Sequence, residues 1–153
     1  MIAAVAAAVA MTMTTAGCDE PNTLSGSITD SHDLSFDSVR LRLFTDQDAY
    51  ELRYEKLLDS GDNDIVAKVI CDAPEGGITL NTAIDIIESN GNVERITARN
   101  DPFPGVERGD LTFTSGAVDD GEVSTGEWGA TFDNGKTIEG TFEIELEHAS
   151  FEN

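Results

Sequence analysis

The chain has 153 residues, room for one domain with a hydrophobic core, and its thirty Asp and Glu outnumber nine Lys and Arg for a formal net charge of −21. That excess argues against nucleic-acid binding, which needs a basic patch, and against docking of the protein surface on an anionic bilayer. The acids are spread along the whole chain and are expected on solvated faces; calcium binding or a salty habitat are sharper readings of the same charge.

Residues 2–17 read IAAVAAAVAMTMTTAG, an uncharged run of small and apolar residues. It is too short and Ala-rich for a membrane span, which needs about 20 apolar residues, and has the length of a secretory signal core. The run ends in Thr15-Ala16-Gly17-Cys18, followed at once by Asp19-Glu20-Pro21-Asn22. Small residues at the two positions before a cysteine, behind an apolar core, resemble the lipobox of bacterial lipoproteins. The resemblance implies cleavage between Gly17 and Cys18 and a diacylglyceryl group on the Cys18 thiol. It also implies export, with the membrane reached through the lipid on Cys18, at the outer membrane or cell surface. Acyl chains anchor stably because each buried CH2 contributes about 0.8 kcal/mol. Thr15 stands where the family has Leu, and no Lys or Arg precedes Arg40. The expected division is a signal peptide over 1–17, a lipidated N-terminus and tether over 18–23, and a β domain over 24–153. With Cys18 held as a thioether, Cys71 has no partner in the chain. Cys71 lies in the apolar run DIVAKVIC and is expected to be a buried free thiol.

Beyond the tether the pattern has period two almost throughout. A weak first strand is expected over 24–30. In 36–44, Val39, Leu41 and Leu43 share one face and Arg40 and Arg42 the other. Residues 48–58 fit a strand through Tyr50, Leu52 and Tyr54, and also a helix through Tyr50, Tyr54, Leu57 and Leu58; the all-β context favours the strand. Residues 64–71 read as a strand covered on both faces. Strands over 82–87 and 93–99 are expected to pair across Ser89-Asn90-Gly91, with Ile84 opposite Ile96. The loop 100–109, with two prolines, is the longest connector and a candidate contact region. Strands follow over 110–118, 122–132 and 136–147. Between the last two, face parity requires a three-residue loop, Asp133-Asn134-Gly135, which sets Ala130 opposite Ile138 and Trp128 opposite Gly140. Positive φ is predicted at Gly91 and Gly135.

Motifs that carry chemistry are absent: no GxSxG, no Gly-rich phosphate loop, no HExxH. His32 and His148 lack metal-ligand spacing. Acids cluster at Asp59, Asp62 and Asp64, at Asp30 and Asp33, and at Asp119, Asp120 and Glu122. The first cluster is the candidate for a weak calcium site, although DSGDND lacks EF-hand spacing; otherwise these acids form turns. With so many carboxylates, pairs at glycosidase spacing arise by chance. Tyr50, Tyr54 and Trp128 are the aromatics able to form a sugar-binding platform, while the parity of Trp128 with Ala130 and Phe132 favours the core.

The reading is a single all-β domain, an antiparallel β-sandwich or else a β-barrel, of about 8–9 strands. The closing segment GEWGATFDNGKTIEGTFEIEL resembles small lipoprotein domains of envelope-rich bacteria, a resemblance that implies no particular function. The expected role is a non-enzymatic, lipid-anchored envelope module, structural or partner-binding, with no cofactor and an envelope protein or glycan as partner. The alternative is a carbohydrate- or small-ligand-binding β-sandwich or barrel lipoprotein, with or without the assistance of calcium.

Overall fold

The computed structural model describes residues 20–151. Nine strands follow in chain order: β1 Thr23–Ser25, β2 Ser38–Phe44, β3 Ala49–Leu57, β4 Asn63–Asp72, β5 Ile84–Asp85, β6 Asn92–Ile96, β7 Val106–Ser115, β8 Val123–Phe132 and β9 Thr137–Ala149. One 3-10 turn, Ser27–Asp30, interrupts them, and the described residues contain no α-helix. The all-β expectation holds. The antiparallel sandwich gives way to one mixed sheet, in the order β5-β7-β8-β9-β2-β3-β4-β6, curled into a half-barrel. The physical reason lies in β9, which at 13 residues is long enough to serve two partners on one edge. Its first part pairs antiparallel with β1, Thr23 opposite Thr141, and its last part pairs parallel with β2, from Leu41 opposite Leu146 to Phe44 opposite Ala149. The sheet therefore continues through β9 instead of splitting into two layers. Alternation of side chains has period two in both kinds of pairing, so the parallel junction leaves no mark on the pattern.

Curling turns the inner faces of β2–β4 and β7–β9 toward each other. Leu41, Tyr54, Phe113, Phe132, Phe142 and Ile138 are all buried between them. Each such side chain contributes about 1.5–3 kcal/mol by leaving water. The two outermost strands are joined by residues 86–91, which bond to both sides of the opening. Ile86 N–H donates to Gly109 O at 2.9 Å, and Ser89 O accepts from Asp72 N–H at 2.8 Å. This segment covers the sheet edges at β7 and β4, which would otherwise offer unpaired backbone.

Residues 49–57 are strand throughout, in register with β2 and β4. Its outward side chains Glu51 and Glu55 are nonetheless buried, because Arg42 and Arg53 lie over them. The Gly135 loop matches its expectation: Ala130 faces Ile138, Trp128 faces Gly140, and Gly135 has φ 79. The other hairpin does not form. Ile84 pairs with Leu111 and Ile96 with Ile65, so 82–87 and 93–99 lie on opposite edges of the sheet. Positive φ falls on Asn90 (54°) instead of Gly91. Gly91 serves another need, since a Cβ there would lie 2.2 Å from Ile70 O. The first strand is only Thr23–Ser25, and residues 27–30 turn away as the 3-10 helix. β7 starts at Val106, which shortens the proline loop at its end.

The signal peptide and Cys18 lie outside the described residues. The expected tether is partly structured: Pro21 O accepts from Thr141 Oγ1 at 3.1 Å, and Asn22 Oδ1 accepts from Glu143 N–H at 2.8 Å. The chain is thus bound to β9 from Pro21 onward.

Candidate functional site

The three candidate aromatics are placed inside the half-barrel. Tyr50, Tyr54 and Trp128 expose 3%, 0% and 2% of their surface, so they offer no platform to a sugar. Trp128 Nε1–H donates to Tyr54 Oη at 3.1 Å, and Tyr54 Oη–H donates to Thr141 O at 2.8 Å. Gly140 makes this possible, because a Cβ there would lie 2.5 Å from Trp128 Nε1 and 2.8 Å from Tyr54 Oη. Burial raises the Tyr54 phenol well above its ordinary range, and the bond from Trp128 offsets only part of that. Tyr50 donates to the carbonyl of Ala117, a non-glycine residue held at φ 92. Burial pushes the Tyr50 phenol up to about 12, with the neighbouring Cys71 adding to the shift.

The candidate calcium ligands do not converge. Asp59 is exposed, Asp62 accepts from Ser60 Oγ at 3.1 Å, and Asp64 accepts from Ala98 N–H at 2.8 Å. Among the described residues no three His, Cys, Asp or Glu side chains are grouped to hold a metal ion. The other acids serve turns and pairs. Asp33 accepts from Ser35 N–H at 2.9 Å and pairs with Lys56 at 3.0 Å, and Asp120 accepts from His148 N–H at 2.8 Å. The histidines stay apart: His32 Nε2 donates to Pro102 O at 3.2 Å, and His148 Nε2 to Val118 O at 2.8 Å. Cys71 is buried and free. Burial, then the charge of Asp72, pushes its thiol up to about 12, which leaves it protonated and unreactive at neutral pH.

Arg95 is a functional-looking residue that the sequence reading passed over. It exposes 8% of its surface. Its Nη1 donates to Asp33 O at 3.0 Å and to Val66 O at 3.2 Å, and its Nη2 to Asp101 Oδ2 at 3.1 Å. The guanidinium also lies 5.9 Å from the Phe103 ring centre. One buried cation thereby ties the proline loop to β4 and to the segment before β2. The expected contact loop is held down.

The feature that sequence reasoning missed is a trough on the outer face of β7, β8 and β9. Along β8, Trp128, Ala130 and Phe132 point inward, which leaves Glu127, Gly129 and Thr131 outward. Register sets Asp110 of β7 and Glu139 of β9 on either side of Gly129, with Asp85 of β5 beyond Asp110. Two depressions, of about 470 and 310 Å³, share Asp110, Gly129 and Glu139 in their linings and so adjoin over Gly129. Neighbouring strands lie about 4.8 Å apart, so the acidic walls stand roughly 10 Å from each other. Arg108 marks one end, its Nε donating to Thr131 Oγ1 at 3.3 Å. Hydroxyls line the other end, where Thr23 and Thr141 are bonded at 2.8 Å. The outward parity of Gly129 was readable from GEWGATF, but its acidic neighbours come from strands whose register the sequence does not show.

Comparison with known families, curated proteins and solved structures finds no match to this chain.

Proposed function

We propose that this protein is a lipid-anchored envelope module with a non-enzymatic, partner-binding role. The observation that carries the anchor reading is the sequence Thr15-Ala16-Gly17-Cys18 placed directly before a folded domain. Only Asp19 and Glu20 separate Cys18 from Pro21, the first described residue bonded to β9. The three steps from Cys18 to Pro21 span at most about 11 Å, so a lipid on Cys18 would hold the domain close to the membrane surface. The charge of −21 then keeps the acidic faces turned to solvent and away from anionic headgroups.

The binding role is supported by how the interior and exterior differ. Aromatic rings fill the interior, both histidines bond to backbone carbonyls, and Cys71 is buried. The outer face of β7–β9 instead presents an open, acidic trough. The alternative, a carbohydrate- or small-ligand-binding domain, would draw support from an enclosed apolar pocket or an exposed aromatic strip, and Tyr50, Tyr54 and Trp128 provide neither.

Metabolic labelling with an alkyne-bearing fatty acid, followed by membrane fractionation of wild type and Cys18→Ser, tests the anchor. Label and membrane association are expected in wild type and absent in the variant. Equal membrane association of both would overturn the reading.

A further inference from the structure

Gly129 poses a physical question that its neighbours answer for themselves. At Gly126 a Cβ would lie 2.3 Å from Thr112 O, and at Gly140 it would strike Trp128 Nε1, so packing demands both glycines. At Gly129 the nearest atom to a Cβ would be Ile138 O at 3.6 Å, an ordinary contact, and its φ is not positive. The fold therefore leaves room for a side chain in the middle of a fully paired strand. Glycine there costs about 0.5–1 kcal/mol relative to Ala. A strand glycine marks a bulge, a tight bend or a place where a ligand or another backbone approaches closely, and the register on both sides of Gly129 is unbroken, so no bulge accounts for it.

We infer that the trough over Gly129 receives an extended, Lys- or Arg-bearing segment of a partner protein. The inference rests on the partner-binding reading above and names the partner's chemistry. The segment runs along β8 with its backbone over Gly129. Its cationic side chains reach Asp110 on one wall and Glu139 on the other, and Glu127 adds a third carboxylate on the floor. Walls roughly 10 Å apart are too wide for one ion to bridge and suit side chains that diverge from an extended backbone. Arg108 at one end meets a carbonyl or carboxylate of the same segment, which gives the trough a direction.

The test uses the full mature chain in detergent and a fluorescent nine-residue peptide of alternating Lys and Ser, read by anisotropy at 0.1 M salt. Gly129→Thr fills the floor while suiting a strand. It is expected to weaken binding at least tenfold and to leave the melting temperature equal or higher. Asp110→Asn with Glu139→Gln is expected to weaken binding at least fivefold. Asp59→Asn with Glu75→Gln removes the same charge from residues that do not line the trough, and should bind as wild type. No binding by wild type, full binding by Gly129→Thr, or equal loss in the control pair each overturns the inference. A short linear polyamine matching the affinity of the peptide overturns the assignment to a protein segment. Mass measurement of Cys18 in the same preparation separates the two readings: failed binding with a lipidated Cys18 removes the trough alone, and an unmodified Cys18 removes the anchor alone.

Discussion

Tyr54→Phe removes one oxygen from the centre of the core and nothing else. In the wild type that oxygen accepts from Trp128 Nε1–H at 3.1 Å and donates to Thr141 O at 2.8 Å. The variant leaves a buried indole N–H with no acceptor, at a cost of about 1–3 kcal/mol. The lost donor to Thr141 O costs less, because a backbone carbonyl has a second lone pair. The sum is about 2–3 kcal/mol against a total stability of roughly 5–15 kcal/mol. For a chain of this size it corresponds to a fall in Tm of roughly 5–10 °C. Urea unfolding followed by the fluorescence of the single Trp should show a lower midpoint with an unchanged slope. Trp128→Phe removes the other partner, so the double variant should be less destabilised than the sum of the singles by about 1 kcal/mol. A Tyr54→Phe variant within 0.5 kcal/mol of wild type, or strictly additive singles, would refute the Trp128–Tyr54–Thr141 hydrogen-bond chain.

Three further outcomes follow from the same structure. Cys71, buried with its thiol pushed up to about 12, should resist a maleimide or disulfide reagent at pH 7 and react only in denaturant; rapid labelling of the native protein would place it at the surface. Burial works to raise the Asp101 carboxyl, but bonds from Arg95 and Thr97 and the Arg95 charge prevail and lower it. A lowered carboxyl stabilises the fold fully above its unfolded value near 4 and loses that contribution as pH falls through the folded value. Asp101→Asn should therefore cost about 1–2 kcal/mol at pH 7 and progressively less as pH falls below about 4; a pH-independent difference would contradict the pairing. Salt should stabilise the domain, because Asp85 stands directly opposite Asp110 and Glu139, Glu143, Glu145 and Glu147 recur along β9. Raising salt from about 0.05 to 1 M shortens the Debye length to about 3 Å and should raise Tm, whereas a fall in Tm would show that ion pairs such as Arg95–Asp101 dominate instead.

The strands of this protein were legible because one face of each meets the core. Ile138, Gly140, Phe142 and Leu146 against Glu139, Glu143, Glu145 and Glu147 define β9, and parity alone placed Gly135 in its loop. Parity also put Trp128 inward, as found. What the pattern lacked was partner choice. Nothing in the run DIVAKVIC says that β4 pairs with β3 and β6, and nothing near Ile84 says that β7 lies beside it. The Asn90-Gly91 pair looked like a hairpin because the local turn is real, but it joins opposite edges of the curled sheet. The trough escaped notice for the same reason: Asp110, Gly129 and Glu139 are far apart in sequence and meet only through register. Arg95 escaped because a cation in a strand reads as solvated, whereas here two backbone oxygens and one carboxylate oxygen take the place of water at Nη1 and Nη2.

Cys18 stands three positions before Pro21, the first described residue bonded to β9. Mass spectrometry of the N-terminal peptide from protein purified out of membranes tests the lipid anchor on that cysteine most directly. The expected peptide begins at Cys18, carries a diacylglyceryl group on sulfur and has lost residues 1–17. A peptide that retains those residues, or a Cys18 with an unmodified thiol, would contradict the anchor.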